Sequence, residues 1–174
     1  SWVPKVPGGE TPIEPIPYPT DPNDPTKPGT DKPRVPYIPG TTPVVPKDPT
    51  KPISPDNPLV PLTPVDPKDP TKGYEVPPVP TDPSTDTPIN YVTDKQKAIT
   101  NFVTETGKVV STPVVDEGDS GANFTKSKVD EVTKTIEKLE KAGYRVVKND
   151  FPSKDIDRVF DKDKSVDQIF TVTV

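Results

Sequence analysis

The chain has 174 residues, among them 29 prolines and no cysteine, methionine or histidine, and a formal net charge of −5. Disulfide frameworks, thiolate zinc sites and imidazole catalysis are thereby excluded. The mixed, mildly acidic charge offers no basic footprint for nucleic acid, and no apolar run approaches the ~20 residues that cross a bilayer. The opening Ser1-Trp2-Val3-Pro4 lacks an initiator methionine, which reads as an excised piece whose targeting and anchoring signals lie outside it.

Apart from Pro113 and Pro152, every proline falls between Pro4 and Pro88. From Pro43 to Pro70 they stand at every third position. A polyproline II helix has three residues per turn, so this spacing predicts one proline edge along a left-handed rod. At roughly 3.1 Å per residue the stretch would span on the order of 87 Å. An Asp-Pro-Thr-Lys unit recurs at Asp24, Asp48 and Asp69 at separations that are multiples of three, so the copies would share one side of the rod. Gly8-Gly9, Gly29, Gly40 and Gly73 interrupt the period as candidate bends. Tyr18, Tyr37 and Tyr74 recur near them, stacking on prolines or anchoring the rod. Residues 1–89 are therefore expected to be an extended stalk or linker rich in polyproline II, and residues 90–174 a small compact domain.

In the second half the period changes. Ala98, Thr100 and Phe102 alternate with Ile99, Asn101 and Val103, which predicts a strand. Thr104–Gly107 reads as a turn and Lys108–Val115 as a second strand, with Pro113 implying an edge or a bulge. Residues 116–121 read as a polar loop. Thr125 or Ser127 can cap a helix whose stripe is Val129, Val132, Ile136 and Leu139, with Gly143 at its end. Residues 144–148 predict a third strand, 149–165 a long polar connection, and 167–174 a last strand. Strand, strand, helix, strand, strand is an α+β order. One helix across one mixed sheet buries one stripe and one sheet face, and pairing the terminal strands in the middle makes it a β-grasp, ubiquitin-like plan.

Gln96-Lys97-Ala98, Glu105-Thr106-Gly107-Lys108, Gly143-Tyr144-Arg145-Val146-Val147, Asn149-Asp150-Phe151-Pro152, Phe160-Asp161 and Asp167-Gln168-Ile169-Phe170-Thr171-Val172 occur in that order. Together they resemble the mucus-binding (MucBP, Mub B2-like) repeats of Gram-positive, Lactobacillus-type cell-surface adhesins. The resemblance covers residues 90–174, and Val76–Pro83 is similar to the proline-rich segments that link such repeats. It implies a β-grasp domain, mucin glycans or host extracellular glycoproteins as partners, neighbouring repeats in the parent chain, and an extracellular place on the bacterial cell surface. The short hairpin segment carrying Pro113 departs from the family pattern. The family supplies no fixed ligand residues.

Catalysis is not expected. Without His or Cys, a hydrolase would need paired carboxylates, a Ser-Lys pair or a metal, and no such pair stands in an apolar setting here. No cofactor is required. The one metal to weigh is calcium, because Asp155, Asp157, Asp161 and Asp163 lie within nine residues; they lack the EF-hand glycine and closing glutamate, and the other reading is a solvated acidic loop. Tyr144 and Phe151 are the aromatic candidates for sugar contact, weighed against packing. The function read from the chain is an adhesion module, weak per copy and strengthened by repetition on a proline-rich stalk. The alternatives are a structural spacer without a ligand and a protein-binding module acting through an exposed sheet edge.

Overall fold

The computed structural model describes residues 1–8 and 10–174; of the expected bends, Gly9 lies outside the described residues. The chain divides into two compact units, Ser1–Thr93 and Asp94–Val174. The division falls a few residues after the expected one, because residues 87–93 form one continuous strand.

The first unit overturns the expectation of an extended arm. It contains β1 (Trp2–Lys5), β2 (Thr20–Asp21), β3 (Asp24–Pro28), β4 (Arg34–Val35), β5 (Thr41–Pro46), β6 (Leu59–Pro61), β7 (Tyr74–Glu75) and β8 (Thr87–Thr93). A four-stranded sheet runs in the order β1-β8-β5-β6, and two short ladders pair β2 with β3 and β4 with β7. A core of Trp2, Val35, Ile38, Val45, Leu62, Tyr74, Ile89 and Tyr91 lies within it. The Trp2 indole N–H donates to Pro77 O at 3.0 Å, and its ring meets Tyr18 edge-on at 4.9 Å. The Tyr91 hydroxyl donates to Pro36 O at 2.6 Å, and burial pushes its phenol well above the ordinary range.

Two physical causes defeat the rod. First, the Asp-Pro-Thr and Asp-Pro-Ser units bond locally: those at Asp48 and Asp82 lie in turns, that at Asp69 caps a 3-10 turn, and that at Asp24 opens β3, which pairs back on β2. The Asp Oδ1 accepts the N–H of the residue two positions on, from Thr26, Thr50, Thr71 and Ser84 to Asp24, Asp48, Asp69 and Asp82, at 3.0–3.1 Å. It also accepts the hydroxyl of the same Thr or Ser. At Asp48, Asp69 and Asp82 the chain thereby turns where a polyproline helix would run straight on. Second, proline tolerates extended strands wherever its nitrogen needs no partner, and its carbonyl still accepts. Pro43 and Pro46 stand in β5, and the Pro43 carbonyl takes the Leu62 N–H at 3.0 Å. Of the expected bends, Gly40 and Gly73 have positive φ, 76° and 97°.

The second unit contains β9 (Lys95–Val103), β10 (Val109–Asp119), α1 (Lys126–Lys141), β11 (Lys148–Asn149) and β12 (Gln168–Thr173). Its sheet order is β10-β9-β12-β11, with β9 antiparallel to β10 and parallel to β12. The helix joins β10 to β11. The unit is mixed α and β, as the sequence predicts. Side chains at the even positions of β9, β12 and the second half of β10 point inward. Phe102, Val114 and Val172 pack there with Val132 and Leu139 of the helix, and Ala98 packs with Phe124 and Phe160.

Three local expectations change. The strand β10 runs on to Asp119, paired with β9 as far as Lys95, and within it Asp116 is buried with its Oδ2 accepting the Thr125 N–H at 2.8 Å. That carboxylate therefore serves the helix start, and the Thr125 side chain makes no cap. The third strand is only Lys148–Asn149. Around Pro113 the β9–β10 register shifts, consistent with an edge strand that bulges.

Candidate ligand-binding surface

Gly143, at φ 100°, ends the helix and turns the chain so that the Tyr144 N–H reaches Leu139 O at 3.0 Å. This fixes Tyr144 just beyond the helix, with the residue 39% exposed. Phe151 is held differently. Its N–H donates to Asn149 Oδ1 at 2.9 Å. Its ring lies 6.0 Å from Phe124 and 5.7 Å from Phe170, and the Arg158 guanidinium stands 5.3 Å from its centroid. Arg158 is itself tied to Pro152 O and to Asp155. Phe151 thus joins the two core clusters while Arg158 lies over its ring, whereas Tyr144 offers an accessible ring.

The four aspartates expected to weigh for calcium are not drawn together. Asp155 pairs with Arg158 at 3.0 Å, and Asp157 lies exposed in the same short 3-10 turn. Asp163 accepts the N–H and hydroxyl of Ser165, at 3.2 and 2.5 Å. Asp161 Oδ1 accepts the Asp163 N–H at 3.1 Å and the Gln96 amide at 2.6 Å. The buried Gln96 Nε2 also lies 2.8 Å from Asp163 O and 2.8 Å from Val166 O. A side-chain amide fills the centre of this oxygen-lined loop. Among the described residues no group of three or more His, Cys, Asp or Glu side chains is arranged to hold a metal ion.

Two surfaces escaped the sequence reading. On the face of the second sheet away from the helix, Val115 pairs with Ile99 and Ile99 with Ile169. Val115 is 44% and Ile169 62% exposed, so the row is an apolar stripe in solvent. The Lys97–Glu117 cross-strand pair flanks it on one side and Asn101–Thr171 on the other. Alternation alone predicts which residues point outward; only the register shows that these three align. In the first unit, a cleft of about 620 Å³ is lined by Trp2 and Pro77 together with Asp31, Lys32, Arg34 and Glu75. Its walls come from distant segments, which a local reading cannot join.

Residues 96–174 match the mucin binding domain family. The match lies wholly within the second unit and includes Tyr144, Phe151 and the apolar stripe. The mucin binding domain is a binding family rather than an enzymatic one. A comparison of the whole chain with curated proteins finds no match. No helix among the described residues is long and apolar enough to cross a membrane.

Proposed function

We propose that the second unit is a β-grasp mucin-binding module of an extracellular bacterial surface adhesin. The match over residues 96–174 carries this reading. The sheet order supports the β-grasp assignment: the first and last strands of the unit, β9 and β12, run parallel at the middle of the sheet, and the helix follows the first hairpin. The ligand class is the mucin glycoprotein. Tyr144 supplies the accessible ring at which a sugar face can pack. Affinity per copy is low and grows through repetition, since linked copies convert later binding steps into intramolecular ones.

The test is binding of the full chain, multimerised on a bead, to immobilised mucin before and after enzymatic deglycosylation. Glycan-dependent capture that weakens in Tyr144→Ala supports the reading. Capture that survives deglycosylation unchanged would move the site to protein recognition, with the stripe at Val115, Ile99 and Ile169 as the next surface to mutate. No capture at any valency would leave a structural spacer as the function.

A further inference from the structure

The strand order of both units has a mechanical consequence that is independent of any ligand. In the second unit the first strand, β9, and the last, β12, are parallel neighbours, paired from Gln168↔Ala98 to Thr173↔Val103. The Val174 N–H adds a further bond to Val103 O at 2.9 Å. Because the strands are parallel, the chain enters at one end of this pair and leaves at the other. In the first unit β1 and β8, again the first and last strands, are parallel, paired from Trp2↔Thr87 to Lys5↔Asn90. The Thr87 N–H donates to Ser1 O at 3.0 Å. Here too the chain enters beside the start of the last strand and leaves at its far end.

We propose that both units are tension-bearing clamps, built to stay folded when the chain is pulled along its length. Tension between the entry and exit of either unit acts along the paired strands and slides one past the other. The evenly spaced cross-strand hydrogen bonds of a parallel pair are then strained together and must break together. Had the terminal strands been antiparallel, both ends would leave from one edge, and the bonds would open one at a time.

Side chains reinforce each clamp. In the second unit β9 and β12 are both interior strands, flanked by β10 and β11, and their inward side chains Phe102 and Val172 are fully buried. Water cannot readily replace those bonds as they stretch. In the first unit, β1 carries Trp2, almost wholly buried, which must leave the core before the strand can slide. The prolines do not weaken this ladder. The Trp2 N–H and C=O both bond Ile16, at 2.8 Å each, on the side away from β8. Strand alternation then turns Val3 and Lys5 toward β8 and Pro4, which has no N–H, away from it.

The chain has no cysteine, so pulling handles can be placed at will on the full-length protein. One variant carries Lys95→Cys and Val174→Cys, which load the β9–β12 pair in shear. A second carries Lys95→Cys and Asp167→Cys, which pull the same two strands apart from one end. Both are checked for native circular dichroism and then pulled at one loading rate in optical tweezers. Each rupture should lengthen the tether by roughly 3.5 Å per residue released. The expected result is a shift of the rupture force to clearly higher values for the shear pair. Equal rupture forces in the two geometries, or a lower force in shear, would overturn the proposal.

Discussion

The amide nitrogen of Gln96 lies 2.6 Å from Asp161 Oδ1, joining the first strand of the second unit to a loop 65 residues later in the chain. The same nitrogen serves two backbone carbonyls of that loop, while Gln96 Oε1 accepts the Lys97 N–H at 2.9 Å. Gln96 is buried, so its removal strands several polar groups away from water. Gln96→Ala should cost about 2–3 kcal/mol, at the upper end of what an unsatisfied buried polar group costs. Urea denaturation followed by circular dichroism checks this. A loss under about 0.5 kcal/mol, the range of ordinary surface changes, would show that the loop does not depend on the amide.

The same geometry predicts the response to calcium. The position between Asp161, Asp163 O and Val166 O is already filled by the Gln96 amide. Calcium at millimolar concentration, or its removal with a chelator, should leave Tm unchanged. A calcium-dependent rise in Tm would mean that the amide can be displaced by the ion.

Trp2 is the only tryptophan, and it sits in the core of the first unit. Its fluorescence therefore reports that unit alone. Native emission should be blue-shifted and should move to the red in one cooperative transition on heating or in urea. An extended arm would show exposed emission and no transition. Trp2→Phe should cost less than Trp2→Ala, which should remove about 3–5 kcal/mol and unfold the first unit at moderate urea while the circular dichroism of the second persists.

The failure of the rod and the success of the helix have the same physical root. The helix stripe at Val129, Val132, Ile136 and Leu139 and the Gly143 stop are decided within a few residues, so the sequence displays them. The order of strands around the helix follows equally from local alternation. A three-residue proline period is local too, but it is compatible with a strand-and-turn chain as well as with a rod. What decides between them is the Asp cap on each turn and the burial of Trp2 against Ile89 and Tyr91, residues nearly a whole unit away. Asp116 is a similar case. It reads as a loop residue because carboxylates avoid cores, yet it is buried on a β10 position where it accepts the N–H of Thr125, the residue that precedes the helix. Tyr144 and Phe151 look alike in sequence; the packing of Phe124, Phe170 and Arg158 around Phe151 separates them.

That separation is measurable. Phe151→Ala removes a ring packed among Phe124, Phe170 and Arg158 and should cost about 3 kcal/mol. Tyr144→Ala should change stability by less than about 1 kcal/mol and, under the proposed function, reduce capture on mucin. Measuring both stability and capture for both variants tells binding loss from unfolding. If Tyr144→Ala binds as the parent does, the ring is not part of the site.

The Asp-Pro-Thr and Asp-Pro-Ser hydrogen bonds predict a pH dependence of the first unit. The hydroxyls of Thr26, Thr50, Thr71 and Ser84, and then their N–H groups, hold Asp24, Asp48, Asp69 and Asp82 below the usual carboxylate range. A carboxyl whose pKa is lower folded than unfolded adds stability that is fully present above the unfolded value. That stability is lost as pH falls through the folded value. Tm of the first unit, read from Trp2 fluorescence, should be flat near neutrality and fall below about pH 4, the ordinary carboxylate range. The groups are exposed, so each contributes little and salt should not abolish an effect made mostly of hydrogen bonds. Replacing Thr26, Thr50 and Thr71 by Val should flatten the acid limb. An unchanged acid limb in that triple variant would place the titration elsewhere.

Gly118 tests how the second unit closes over its core. It pairs with Gln96 across the β9–β10 ladder, and a Cβ built there would run into the Phe160 ring. Phe160 is almost wholly buried and packs edge-on against Phe124 at 5.0 Å, so it has little room to retreat. Its backbone is equally fixed, with its N–H on Ala122 O at 2.8 Å and its carbonyl taken by the Gly121 N–H at 2.7 Å. The strand conformation at Gly118 suits any residue, so the constraint is purely one of space. Gly118→Ala should therefore destabilise by about 1–3 kcal/mol, the usual effect of overpacking, despite the better strand propensity of alanine. The double variant Gly118→Ala with Phe160→Leu should recover part of that loss, because the smaller side chain vacates the contact. If Gly118→Ala alone is neutral, the ring can shift, and the close approach of β10 to Phe160 is not what holds this end of the sheet.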